Sequence, residues 1–276
     1  MHPILFRIGA FEVGTYGLML ALGFLAALYL AKRLAKQDDI APDAVVDISL
    51  TLLIAGILGA KALMIIVDLL SGEPISHVFS LGTLRAGGAV HGGILAATAA
   101  FFWRVRVLKL PFAKTLDSLS AAVPLGQAIG RIGCLAAGCC FGANCQAPWA
   151  ITFHNHDAAR FGTPLEIPLH PVQVYFGLSN LIILAILLMS WQRRKFPGQI
   201  ASLYFMLEGL FRLILETWRG DIDRGVWFNV SWLSTGRITA FVFILIGTAL
   251  WIWPSRALKS PKPPKSSKSS KARAKA

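Results

Sequence analysis

The residues best equipped for chemistry fall into four polar groups set in apolar, glycine-punctuated surroundings. The first is PLGQAIGRIGCLAAGCCFG, residues 124–142, which carries Arg131 with Cys134, Cys139 and Cys140. A guanidinium at membrane depth is costly unless it is paired within the protein or holds a charged group entering from lipid, so Arg131 anchors the candidate site. Gly126, Gly130 and Gly133 are spaced by four and three, which clears one helix face for another helix or for a head group. The second group is His91 in AGGAVHGGILAA, flanked by Gly87, Gly88, Gly92 and Gly93. An imidazole can serve as a general base, and missing neighbouring side chains would let a bulky ligand reach it. A lone helical histidine can equally be a packing residue. The third is FRLILETWRGD, in which Arg212 and Glu216 stand four apart and predict an ion pair on one helix face, with Arg219 further out. The fourth is HPVQVYFG, with His170, Gln173 and Tyr175, where the tyrosine could also be an interfacial anchor.

Cys134, Cys139, Cys140 and Cys145 crowd into twelve residues with the spacing C-x4-C-C-x4-C. This is unlike a C-x2-C zinc knuckle, although His154 and His156 follow and could complete a site. Three readings stay open: structural thiols or a disulfide in an oxidising compartment, thiols lining a substrate pocket, or a metal site. No metal ligand set is assigned.

The elements that must position these groups are apolar spans. The chain has 276 residues, 55% of them hydrophobic and 15% charged, which marks a polytopic membrane protein. Mean hydropathy is +0.61. Runs of spanning length extend over 14–30, 45–70, 86–103, 116–140, 172–191, 200–218 and 236–253. The fourth, with Lys114, Asp117, Gln127 and Arg131, is patchy enough to be oblique or broken. The expected fold is all-α, a polytopic membrane protein of about seven transmembrane helices with a small extracytoplasmic head at 141–170. Basic residues concentrate in alternate connections (Lys32, Arg33 and Lys36; Arg104, Arg106, Lys109 and Lys114; Arg193, Arg194 and Lys195), which puts the N-terminus outside and the C-terminus in the cytoplasm. The first span reads as retained, because no basic region or small-residue cleavage site frames it. Net charge is +13, but eight of the 27 basic residues follow Trp253 in a Pro/Ser/Lys-rich segment. The body, 1–253, is thus only modestly basic and excludes a nucleic-acid reading. The tail, 254–276, reads as a disordered cytoplasmic segment near anionic lipid.

Taken together, TYGLML at Tyr16, GGAVHGG at His91, GRIG at Arg131, HPVQVY at His170 and FRLILETWRGD at Arg212 resemble, in order and spacing, the blocks of the bacterial prolipoprotein diacylglyceryl transferase family. The resemblance covers nearly the whole chain apart from the tail. It implies a seven-span inner-membrane enzyme that moves the diacylglyceryl group of phosphatidylglycerol onto the lipobox cysteine thiol of a preprolipoprotein and releases glycerol phosphate. It implies His91, Arg131 and Arg212 as catalytic residues. Tyr16, Gly92, Gly133, Cys134, Cys139, Gln173, Tyr175, Glu216 and Arg219 would bind substrate. The partners are then phosphatidylglycerol, the lipobox signal peptide and membrane lipid, with no nucleic acid; a monomer without soluble cofactor is expected.

The sequence also departs from the family pattern. The family's G-R-x-G-N-x-x-N-x-E reads Cys134, Ala137 and Cys139 at its Asn, Asn and Glu positions. Glu208 replaces a tyrosine four residues before Arg212, Phe176 replaces an acid, and Lys61 stands where arginine is usual. A divergent relative with another acceptor, a membrane thiol redox protein and a lipid-transport protein therefore remain as alternatives.

Overall fold

A computed structural model describes residues 2–8, 11–72, 88–221 and 234–259. The tail beyond 259, Gly87 and the basic residues Arg85 and Arg224 lie outside the described residues.

Long apolar stretches fold as helices, seven of them long among the described residues: α1 (Thr15–Lys36), α2 (Pro42–Leu70), α3 (Val90–Val107), α4 (Phe112–Ala137), α5 (Val172–Trp191), α6 (Gln199–Leu215) and α7 (Thr235–Lys259). Five of these, α1, α2, α4, α5 and the part of α7 up to Ile252, are long and apolar enough to cross a membrane. The chain is thus built as a multi-pass membrane protein. The helix α6 has only 17 residues and α3 ends in Arg104 and Arg106. Length and composition alone therefore do not make spans of these two. Ends follow local chemistry: Pro42 opens α2, where a missing N–H costs nothing, and Gly138 closes α4 in the left-handed region with φ 85°.

The fourth segment is one continuous helix through Pro124, not a broken one. Its polar residues are absorbed by neighbours. Asp117 is fully buried and accepts the backbone N–H groups of Gly198 and Ala201, each at 2.8 Å, which pins the start of α6. The principal packing pairs are α1 with α4, α2 with α3, α6 with α7 and α4 with α5. Glycines permit close approach at three of these contacts. A Cβ on Gly23 would sit 2.7 Å from the Gly126 carbonyl oxygen, and one on Gly92 would strike the Gly59 carbonyl. Small residues at such crossings let backbones approach closely. Large apolar side chains such as Leu50, Ile54, Ile57 and Leu58 point outward from α2, as suits a surface against lipid tails.

Small β pairs complete the ends. The strands β1 (Ile4–Ile8) and β2 (Phe11–Gly14) pair antiparallel, with an irregularity between Ile4 and Phe6. The segment 141–170 forms a small head in which β3 (Ile151–Thr152) pairs with β4 (Pro168–Leu169) over a core of Phe141, Phe153, Ala158 and Leu169.

Candidate active site

At one end of the bundle, the N-termini of α3 and α7 meet the C-terminus of α6 and the flank of α4 around a cavity of about 570 Å³. His91 enters from the first turn of α3, Gln127 from α4, Tyr204 and Arg212 from α6, and Glu216, Arg219 and Asp221 from the chain that leaves α6. Arg212 and His91 therefore share one hollow. Buried atoms that make no hydrogen bond among the described residues give it its chemistry: Arg212 Nε is a donor, while Gln127 Oε1 and Glu216 Oε2 are acceptors, the last only ion-paired to Arg219 at 3.9 Å. A buried polar atom left unpaired costs about 1–3 kcal/mol, so this trio is set for a ligand that both accepts and donates hydrogen bonds.

The ion pairs differ from the expected one. Arg212 Nη2 lies 3.6 Å from Glu208 Oε1, one turn earlier, and not against Glu216. The reason is local: α6 stops at Leu215 and residues 216–218 tighten into a 3-10 turn, which swings Glu216 off the Arg212 face. Glu216 instead accepts from Ser234 Oγ at 3.0 Å and stands 3.9 Å from Arg219. Arg219 makes a forked contact to Asp221, with Nε at 2.9 Å and Nη2 at 2.7 Å from the two carboxylate oxygens. Its guanidinium is largely committed, which leaves Arg212 as the freer cation.

Arg131 does not line this cavity. It lies on the wall of an apolar groove of about 260 Å³ between α4 and α5, with Gln173, Gly177, Leu178 and Leu181. The buried ring of Phe176 stands near both arginines. The Arg131 guanidinium carbon is 4.4 Å and that of Arg212 5.8 Å from the centre of this ring. Both cations thus rest on one aromatic surface, at distances where a ring attracts a guanidinium. The aromatic that replaces the expected acid couples the two arginines.

Other expected site residues fall elsewhere. Gly92 and Gly133 sit at close helix crossings: a Cβ on Gly133 would meet Met19 Cβ at 2.9 Å and Tyr16 Cα at 3.2 Å. Gly126 likewise abuts α1, whereas Gly130 faces open space among the described residues. Gln173 donates to the Cys139 carbonyl at 2.9 Å and so braces the cysteine loop. Tyr175 receives the Trp149 indole N–H at 2.8 Å and stacks edge-on with His170 and Trp218. Gln127, Tyr204 and Asp221 line the cavity without having been legible as site residues. The one available signal is Gln127 standing a turn before Arg131 on the same helix.

The four cysteines are free thiols. The sulfurs of Cys134, Cys139 and Cys140 lie within 4.8 Å of one another. Neither Cys145 nor the described histidines join them: Cys145 Sγ accepts from the Ala147 amide, and His154 is exposed and paired with Glu166 at 2.9 Å. Hydrogen bonds from Cys134 and Cys139, helped by the guanidinium groups of Arg131 and Arg219, hold the Cys140 thiol below its ordinary range against the cost of burial. The matching bonds to Cys134 and Cys140, with burial, push the Cys139 thiol up.

The family model described as prolipoprotein diacylglyceryl transferase matches residues 3–253. The chain belongs to the prolipoprotein diacylglyceryl transferase family. Relatives named phosphatidylglycerol--prolipoprotein diacylglyceryl transferase include that of Clostridium tetani, 34% identical over 90% of this chain and 95% of its own length. Those of Geobacter sulfurreducens (31% identical, 95% and 98% covered) and Desulfotalea psychrophila (30%, 92% and 93%) match to similar extent. The family match spans every element from β1 into α7, so the cavity, the groove and the thiol cluster all lie inside it.

Proposed function

We propose that this chain transfers the diacylglyceryl group of phosphatidylglycerol to the lipobox cysteine thiol of a prolipoprotein, releasing glycerol phosphate. The observation that carries the reading is the shared cavity of His91 and Arg212, with its donor at Arg212 Nε and acceptors at Gln127 and Glu216 that make no hydrogen bond among the described residues. Phosphatidylglycerol matches that pattern, because its phosphodiester accepts hydrogen bonds and its glycerol hydroxyls donate them.

The acyl chains lie in the apolar groove beside Arg131, and the head group lies in the cavity beside Arg212. Arg212 holds the phosphate oxygens in a fork. His91 takes the proton of the acceptor thiol, and the resulting thiolate attacks the glyceryl carbon that carries the phosphate oxygen. A carbon–sulfur bond forms, the carbon–oxygen bond breaks, and its electron pair leaves on glycerol phosphate. The charge that grows on the leaving phosphate is met by Arg212, with Arg131 across the Phe176 ring, and it is this differential contact that accelerates the step. Glu216 and Gln127 accept from the glycerol hydroxyls of this head group. The chain works as a monomer in the bacterial inner membrane, spans it seven times, and keeps its N-terminus outside and its basic tail in the cytoplasm, as its loop charges favour.

The test is a reconstituted reaction with phosphatidylglycerol vesicles and a lipobox peptide. The peptide mass should rise by one diacylglyceryl group, and neither a Cys-to-Ser peptide nor phosphatidylethanolamine vesicles should support the gain. An unmodified peptide in the presence of folded protein would refute the reading.

A further inference from the structure

The thiol cluster plays no part in the transfer just described, and its construction points to a ligand of another kind. The left-handed turn at Gly138 reverses the chain, so Cys139 and Cys140 fold back beneath the last turn of α4 and their sulfurs come within 4.8 Å of Cys134. Cys140 itself adopts φ 59°. A cysteine rarely takes this left-handed conformation, which costs of order 1–3 kcal/mol and persists where the surroundings over-determine it. Here they do: Gln173 holds the Cys139 carbonyl, Gly138 donates back to Cys134, and residues 141–143 are bonded to 218–220 through Ala143 to Trp218 and Gly220 to Phe141.

We propose that Cys134, Cys139 and Cys140 form a binding site for one thiophilic, closed-shell metal ion of the zinc class. Three thiolates about 2.3 Å from a tetrahedral zinc stand about 3.8 Å apart. The observed cluster reaches that arrangement by drawing its sulfurs slightly inward. Three thiolates and a divalent ion leave one net negative charge. The guanidinium group of Arg131, which acts on Cys140, offsets that charge. The fourth coordination position falls to water, since Cys145, His154 and His156 stay outside the cluster. A disulfide would use two of the three sulfurs and leave the third unexplained. The spacing C-x4-C-C hides the site because its geometry depends on the reversal at Gly138. Once bound, the ion ties the end of α4 to the loop whose backbone pairs with Arg219.

The site is independent of the transfer reading, and its test measures no lipid chemistry. The full chain, purified in detergent under reductant and stripped with chelator, is titrated with cadmium ion as a spectroscopic probe. We expect a sulfur-to-cadmium charge-transfer band that saturates at one ion per chain with the intensity of three thiolates. Changing Cys134, Cys139 and Cys140 together to Ser should abolish the band, and Cys145→Ser should leave it unaltered. The wild-type titration decides the matter even where the triple variant misfolds. Non-saturating binding, a band of fewer than three thiolates, loss of the band in Cys145→Ser, or an intact mass showing a disulfide among the three in protein alkylated at harvest would each overturn the site.

Discussion

Arg219 is forked to Asp221 and Arg131 looks into an apolar groove, while Arg212 has one loose contact to Glu208 and a buried Nε with no partner among the described residues. Arg212→Ala should therefore lower transfer at least about 100-fold, the scale of losing a preorganised group that meets developing charge. Arg212→Lys keeps the charge but loses the fork, so a loss of roughly tenfold or more is expected, read as kcat/KM in the vesicle assay. Phe176 gives a second expectation, since its ring is shared by both guanidiniums. Removing it forfeits about 0.5–1 kcal/mol per contact, so Phe176→Ala should weaken apparent lipid affinity several-fold with the helices intact. Neither effect could be foreseen from spacing alone. The i,i+4 rule correctly offers Arg212 a carboxylate, but whether Glu208 or Glu216 supplies it depends on the helix ending at Leu215, a boundary that apolar periodicity does not fix.

Between helices, small residues set the distances. A methyl on Gly92 would be driven into the Gly59 carbonyl, whereas one on Gly130 would meet open space among the described residues. Gly92→Ala should cost about 1–3 kcal/mol by forcing α2 and α3 apart and should lower the melting temperature in detergent, while Gly130→Ala should leave it unchanged. Asp117 is a second structural joint, since its carboxylate is the partner for two N–H groups at the start of α6. Asp117→Ala should destabilise the fold by about 2 kcal/mol, also visible as a lowered melting temperature. Helix positions were legible from length, apolarity and flanking charge, because those signals are local. The role of the glycines was legible only as a pair of alternatives: a cleared face accepts a helix or a ligand equally well, and the partner helix is set by tertiary arrangement. The N-terminal hairpin was not legible because its two strands are only five and four residues long and abut the first apolar span directly.

For the molecule as a whole, the lysine-rich end beyond Trp253 and the basic connections near Lys36, Lys109 and Lys195 favour one face of the bundle in the cytoplasm. A fluorescent protein fused after Ala276 should fold and emit, and a periplasm-dependent phosphatase at the same point should stay inactive. The cavity lies at the end of α3 opposite Arg104 and Arg106, which is the outer side in the orientation proposed above. Family membership and the meeting of His91 with Arg212 converge on lipid transfer to a thiol. The most direct measurement is rescue of a bacterium depleted of its own transferase, with diacylglyceryl-modified prolipoprotein followed by mass. The native chain should restore the modified lipoprotein and growth, and chains carrying His91→Ala or Arg212→Ala, inserted at equal levels, should restore neither. Full restoration by those two variants, or none by the native chain at equal levels, would contradict the account.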